Sequence, residues 1–444
     1  MLAATPLLSW LAAGKEKLTN WSGNITYSTD QVSEVSSIDE VRGFVASHDR
    51  FKVLGTRHCF NNIADSKDNL LALRPIANTP GLNQWQGKIE LDAHARTVTV
   101  SSAMKYGELA PVLENQGWAL HNLASLPHIS IAGAATTATH GSGEKNGNLA
   151  TAVVGLEMVN GSGDVVTLTK TKDGDMFHGA VVGLGALGVI TKVTLAIQPT
   201  YQIKQYVYEN MPLDQMAKHF DAIQSAGYSV SLFTDWRKNR INEVWIKSRV
   251  GGGHEFPAPQ EFFGATLAKK NLHPIAEISA ENCTEQMGVP GPWYDRLPHF
   301  KMGFTPSAGK ELQTEYFVPR SHAVDAILAV ERLRDHVSPH LLITEIRTIA
   351  ADDLWLSMAY KRDSVAIHFT WKPDWKNVEQ ALPLIERALG PYSYRPHWGK
   401  LFTMSGEELR RRYPKMPEFV AMAKKFDPHG KFRNDFLRRN VFGD

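Results

Sequence analysis

Cysteine is scarce in this chain, with only Cys59 and Cys283 among 444 residues. Two thiols exclude a disulfide framework and a cysteine-rich metal site, so no metal is expected. They fit a reducing compartment, which predicts a cytoplasmic protein, although a single bridge stays open. An excess of one charge is missing as well. Lys and Arg number 48 against 46 Asp and Glu, a formal net charge of +2. A dedicated nucleic-acid surface needs a basic patch, so no nucleic-acid partner is expected. The run Arg410, Arg411, Arg412 reads as a solvated helix face. Long hydrophobic runs are also absent. Leu2 to Ala13 is mildly apolar, but Pro6 interrupts it and no basic residue precedes it. It predicts neither a secretory signal nor a membrane span, but a helix packed on the body. No internal repeat or low-complexity tract appears.

What is present is enough chain for a sizeable core and for two or three domains. Phe51–Leu54, Thr97–Ser101, Val153–Met158 and Val165–Thr169 read as strands, and Glu40–Ala46 and Tyr106–Gln116 as helices. Past Pro199 the same mixture continues, with an irregular Gly- and Pro-rich segment from Gly251 to Pro298. Helical runs follow at Ala323–Arg334 and Val378–Leu389. The fold class is α+β.

One stretch stands out, SLPHISIAGAATTATHGSG from Ser125 to Gly143. From Ser130 onward only Ile131 and His140 carry large side chains. Such a run should add little core. It lets the backbone approach a partner closely, and its N–H groups can form an anion-binding concavity suited to a pyrophosphate. Upstream, the apolar strand Phe51–Leu54 runs into Gly55, and His58 follows in a polar turn. A tempting third motif is Gly183-Leu-Gly185-Ala-Leu-Gly188, which matches a dinucleotide fingerprint. That fingerprint needs a helix starting within it. Here the alternating, β-branched Val189 to Ile197 follows, which predicts a strand. A nicotinamide-binding domain is therefore declined.

In a strand, residues two apart share a face. Glu345 and Arg347 then lie together, as do His368 and Thr370. Buried without partners, such groups would be costly. An exposed polar face or a plain Glu–Arg pair is the alternative. Together these four groups supply both hydrogen-bond donors and acceptors.

Taken in order, GTRHCFN, the small-residue run, NCTEQMGVPGPW (Asn282 to Trp293), EIRT, HFTW and PHWGK (Pro396 to Lys400) carry a family likeness. From Trp21 to Phe436 the chain resembles the vanillyl-alcohol oxidase superfamily of flavoproteins. Within it, the chain is similar to the alditol oxidase branch, the xylitol and sorbitol oxidases. The resemblance implies a two-domain FAD-binding fold of the PCMH/VAO type. The FAD-binding domain would span residues 1–197, an α+β substrate cap 198–394, and a returning C-terminal segment 395–444.

The resemblance further implies FAD bonded covalently to His58, by a single link, since no cysteine lies in the small-residue run. The cofactor-binding positions it implies are Gly55, Thr56, Arg57, His58, Cys59, Ser125, His128, Ser130, Gly133, Ala134, Thr137, His140, Gly141, Gly188, Val189, Ile190, His397 and Lys400. Relatives carry Gly and Ser around the histidine where this chain has Arg57 and Cys59. Ser125, Glu345, Arg347, Thr370 and Lys400 would hold substrate, and His368, Lys400 and Arg347 would be catalytic. The implied reaction moves a hydride from a primary alcohol carbon of an alditol to flavin N5, with O2 reduced to H2O2. Ala124 matches a position where a small side chain leaves oxygen a path. The expected partners are a polyol and O2 around a monomer. An aldonolactone oxidase or dehydrogenase of the gulonolactone and galactonolactone kind is the nearest alternative. A sugar-binding or flavin-carrying protein without activity is the other.

Overall fold

The computed structural model describes residues 17–73, 89–251, 253, 255–301 and 311–444. The helix expected over Leu2 to Ala13 lies outside them. Past the glycines, Val189–Ala196 is a strand whose residues alternate between buried and half-exposed. It sits in the middle of a five-stranded antiparallel sheet, between Thr97–Ser101 and Val153–Val159. No helix starts in the GLGALG run, as the alternation required. A smaller parallel sheet pairs Val32–Glu34 and Phe51–Leu54 with Asn69–Ala72. Helix Ile38–Ser47 connects two of these strands, and the Ser37 side chain caps it by accepting from the Glu40 N–H.

Among the described residues, the largest sheet has ten strands. Its central strands run in the order Ser229–Thr234, Leu341–Ile349, Ser364–Trp371, Leu312–Pro319, all antiparallel. Nearly every residue of these four strands is buried. Both faces are therefore covered, although their sequences alternate apolar and polar. Ile346, Ile367 and Phe369 belong to the apolar core. Helices Ala323–Glu331 and Trp375–Leu389 join that core through Ile327, Val378, Leu382 and Ile385. Each such side chain contributes roughly 1.5–3 kcal/mol by leaving water. The opposite, polar face of the same strands is what requires an explanation, and it belongs to the site below.

Three expectations need correction. The Ala323–Arg334 run breaks: the helix ends at Glu331, and a short turn, Arg334–Val337, follows. The irregular segment after Gly251 is not wholly irregular. Glu261–Phe262, Ala265–Leu267 and Gly291–Pro292 extend the large sheet. The small-residue run also adds core. Ile131–Thr136 forms a short helix, and Ile131, Ala134, Ala135 and Ala138 are buried. Alanine is the best helix former, and small side chains let this helix pack close to its neighbours.

Candidate active site

The strand Phe51–Leu54 ends at Gly55, and the chain then turns tightly. Arg57 takes a left-handed backbone, φ 62°, which costs a non-glycine residue about 1–2 kcal/mol. Its guanidinium donates to Thr19 O at 2.8 Å, and its own carbonyl accepts from Trp21 N at 2.8 Å. The turn stacks the His58 ring on Trp21, with centroids 4.9 Å apart. His58 Nδ1 lies 3.0 Å from Thr56 O. A carbonyl only accepts, so Nδ1 carries the proton and Nε2 the lone pair. Nε2 is shut off from solvent and has no hydrogen-bond partner. Burial, then the nearby His128 and Lys400, hold the His58 pKa well below the usual imidazole range. The ring is neutral at pH 7, with one unengaged nitrogen.

His58 lines a cavity of about 530 Å³. One set of lining residues is nearly bare: Gly55, Thr56, Ser130, Gly133, Ala134 and Thr137. A Cβ added at Gly55 or at Gly133 would come within 2.7 Å of Ser130 Oγ. Thr56 Oγ1 accepts from Ser130 N at 3.1 Å, which ties the turn to the small-residue run. Phe60 N donates to Gly399 O at 2.7 Å, and Asn61 donates to Lys400 O at 2.6 Å. The histidine turn thus abuts the PHWGK segment.

The second set of lining residues is the polar face of the large sheet. Register places Glu345 opposite His368, His368 opposite Glu315, and Thr370 opposite Gln313. Arg347 donates to Glu315 Oε1 at 2.6 Å, and its Nε lies 3.6 Å from Glu345 Oε2. His140 sits between Gly141 O, 2.8 Å from Nδ1, and Glu315 Oε1, 3.1 Å from Nε2. Both neighbours are hydrogen-bond acceptors. His299 Nε2 lies 2.7 Å from Glu345 Oε1. His368 Nε2 meets Thr370 Oγ1 at 3.1 Å, while its Nδ1 is 3.7 Å from Glu315 Oε1 and has no hydrogen bond. Lys400 donates to Gln313 Oε1, and its Nζ stands 5.0 Å from the Phe60 ring centroid.

The electrostatics follow from this packing. Burial alone would raise both carboxylates. His140 and Arg347 reverse that at Glu315, and Arg347 and His299 do so at Glu345, so both stay ionised. Burial, with Lys400 adding to it, lowers His368 to about 4 against the pull of Glu315. Burial lowers Lys400 to about 8, with Glu315 opposing and Arg347 assisting. Near pH 7 the face therefore presents a neutral imidazole beside a cationic ammonium.

The alternative of an exposed face or a plain Glu–Arg pair gives way to a buried network. Ala124, Ser125, Glu345, Arg347, His368, Thr370, His397 and Lys400 all line the cavity, as do Arg57, Cys59 and His140. Five positions implied for the cofactor do not line it. A Cβ at Gly141 would lie 2.4 Å from Leu123 O, and one at Gly188 2.6 Å from Val159 O, so both pack against backbone. Val189 and Ile190 open a strand and pack into core, leaving Leu184 and Gly185 on the cavity wall. His128 lies behind His58, with ring centroids 4.5 Å apart. Gln313, Glu315, His299 and Phe233 line the cavity without having been singled out. For Gln313 and Glu315 the two-residue spacing in Leu312–Pro319 was an available signal. His299, in irregular chain, offered none.

Comparison with known proteins decides the family. Residues 31–169 match the FAD binding domain family, and 305–440 match the D-arabinono-1,4-lactone oxidase family. The alditol oxidase of Streptomyces sp. strain IKD472 is 45% identical, over 95% of this chain and 98% of that protein. The chain belongs to the alditol oxidase family, within the vanillyl-alcohol oxidase flavoproteins. More distant members of the wider group include the L-gulono-1,4-lactone dehydrogenase of Mycobacterium tuberculosis, 26% identical over 95% of this chain and 98% of that one. The L-gulonolactone oxidase of Bos taurus is 24% identical over the same shares. A crystal structure of cholesterol oxidase from B. sterolicum shares the fold, with a TM-score of 0.73 at 14% identity over 96% of both chains. For an alditol oxidase relative the cofactor is FAD, and the cavity fits it on two counts. Gly55, Gly133 and Ala134 leave part of its wall almost free of side-chain bulk, and the buried His58 Nε2 lacks a partner. Among the described residues, no helix is long and apolar enough to cross a membrane.

Proposed function

We propose that this protein oxidises the terminal hydroxyl of linear alditols such as xylitol and sorbitol to the aldose, using FAD held covalently by His58 and O2 as acceptor. The observation that carries the reading is the buried polar sheet face, where Glu345, Arg347, His368, Thr370, Gln313 and Lys400 turn into one cavity with His58. Bound FAD supplies the two-electron acceptor, and its reoxidation by O2 gives H2O2. The protein's own residues orient the substrate and handle its proton. The bare wall from Ser130 to Thr137, with Gly55 and Thr56, would seat the cofactor's phosphates. Glu345 accepts from a substrate hydroxyl, and Thr370 and Ser125 bond others. His368, neutral near pH 7, takes the hydroxyl proton. Glu315, 3.7 Å from its Nδ1, steadies the imidazolium that results. Lys400 and Arg347 stabilise the negative charge that builds on oxygen.

On this reading residues 1–197 and 395–444 carry the cofactor and 198–394 the substrate face. The unpaired Cys59 and Cys283 suit a reducing, cytoplasmic compartment. The match of 305–440 to the D-arabinono-1,4-lactone oxidase family favours a second reading, an aldonolactone oxidase or dehydrogenase. The polar face argues for the first, because two ionised carboxylates suit hydroxyl donors. A panel of alditols and aldonolactones in air, read by peroxide formation without added nicotinamide, tests it. Alditol turnover with peroxide is expected. Turnover of lactones alone, or strict dependence on NAD, refutes it. Acid-precipitated protein should stay yellow, and His58→Ala should not.

A further inference from the structure

We propose that Lys247 and His299 are positioning residues, which together fix the direction in which Glu345 offers its carboxylate to a substrate hydroxyl. The inference rests on the reading of Glu345 as a hydroxyl acceptor.

Lys247 lies in strand Arg240–Arg249 and is 1% exposed. Its Nζ donates to Leu297 O, contacts Pro298 O at 3.2 Å, and stands 3.2 Å from His299 Nδ1. Burial lowers Lys247 to about 7; in its charged form it has three N–H donors and no lone pair. The three neighbours match those three donors. Glu345 is ionised and only accepts, so the ring proton of His299 sits on Nε2, and Nδ1 accepts from Lys247. That nitrogen lies 2.7 Å from Glu345 Oε1 and donates to it. Phe233 and Trp245 meet the His299 ring edge-on, at 5.5 and 5.2 Å between centroids, and hold its plane. The chain from Lys247 to Glu345 is therefore directional and ends on peptide carbonyls that cannot rotate away. Arg347 Nε, at 3.6 Å from Oε2, is too distant for a hydrogen bond. His299 thus makes the tighter contact with Glu345.

A buried lysine is a costly way to fill space, since a hydrophobic side chain would do so at less expense. Its use here is to settle the tautomer of His299. The consequence is a specificity rule. Glu345 is an acceptor only, with one oxygen engaged, so the group facing it must bring a hydrogen. A hydroxyl satisfies it and a carbonyl oxygen does not.

The test compares His299→Leu, His299→Gln, Lys247→Met and Glu345→Gln as flavin-loaded enzymes, with KM and kcat for xylitol. In His299→Gln the side-chain amide nitrogen would stand where Nε2 stood and still donate. His299→Leu and Lys247→Met should raise KM about tenfold or more while kcat changes little, as loss of a charged hydrogen bond would do. His299→Gln should recover most of the loss. In the Glu345→Gln background, His299→Leu should add nothing further. Equal losses in His299→Leu and His299→Gln, or full additivity with Glu345→Gln, would overturn the inference. If Glu345→Gln raises KM but neither His299→Leu nor Lys247→Met does, this inference falls and the reading of Glu345 stands. An unchanged KM in Glu345→Gln overturns that reading, and this inference with it. Should His299→Leu fail to accumulate with flavin, Lys247→Met carries the same comparison.

Discussion

Glu315→Gln is the most informative single change in the buried network. Glu315 is 2% exposed and takes Arg347 at 2.6 Å and His140 at 3.1 Å on one carboxylate oxygen. The amide keeps the shape and one acceptor but removes the charge between two donors. Removing one partner of a buried ion pair costs about 3–5 kcal/mol. With an acceptor retained, the lower end applies, so we expect about 3 kcal/mol of stability lost near pH 7. The urea midpoint would report it, at an unchanged slope. The pH dependence follows from the sign of the shift. His140 and Arg347, against burial, hold Glu315 well below the ordinary carboxylate value of 4.5. A group with a depressed folded pKa stabilises fully above its unfolded pKa and loses that contribution as pH falls through the folded one. The gap between wild type and Glu315→Gln should therefore be constant from neutral pH down to about 5 and shrink below about 4. A gap under about 1 kcal/mol near pH 7, the scale of an ordinary neutral hydrogen bond, would refute the view that this carboxylate holds the polar face together. So would a gap that persists unchanged in acid.

What was legible in the sequence was what is local. Two-residue spacing is a property of one strand, so Glu345 with Arg347 and His368 with Thr370 could be paired before any fold was known, and both pairs line the cavity. The strand after Gly188 was equally readable, because Val189–Ala196 alternates on its own. Strand order and register are not local. Glu315 faces His368 only because Leu312–Pro319 pairs with Ser364–Trp371, and nothing within either segment states that pairing. His299 was harder still, since it reaches Glu345 from a segment with no period at all. The small-residue run misled in the opposite direction. Its lack of bulk suggested little core, whereas alanine's helical preference and close packing made Ile131–Thr136 a helix with Ile131, Ala134 and Ala135 buried. Thr56 and Ser130, distant in sequence, still meet there through a 3.1 Å hydrogen bond.

Two further predictions concern packing and protons. A Cβ at Gly179 would lie 2.4 Å from Trp355 Cε3, and Trp355 is fixed by donating to Asp175 at 2.9 Å. Gly179→Ala should therefore cost about 1–3 kcal/mol by overpacking, and an unchanged thermal midpoint would refute this. The last prediction joins the proposed chemistry to the field inside the cavity. Catalysis as proposed needs His368 neutral, to accept a proton, and Lys400 charged, to stabilise oxygen. Burial with Lys400 nearby holds His368 at about 4, and burial holds Lys400 at about 8. Flavin reduction by xylitol, followed anaerobically, should then be flat across the interval between them, fall as acid charges His368, and fall again as base discharges Lys400. The assignment of the limbs is checked by substitution. In Lys400→Met the alkaline fall should vanish along with most of the rate. The acid fall should move to higher pH, because the ammonium that helps depress His368 is gone. An acid limb near the ordinary imidazole range of about 6.5 in the wild type, or one that fails to move in Lys400→Met, would show that His368 does not take the proton.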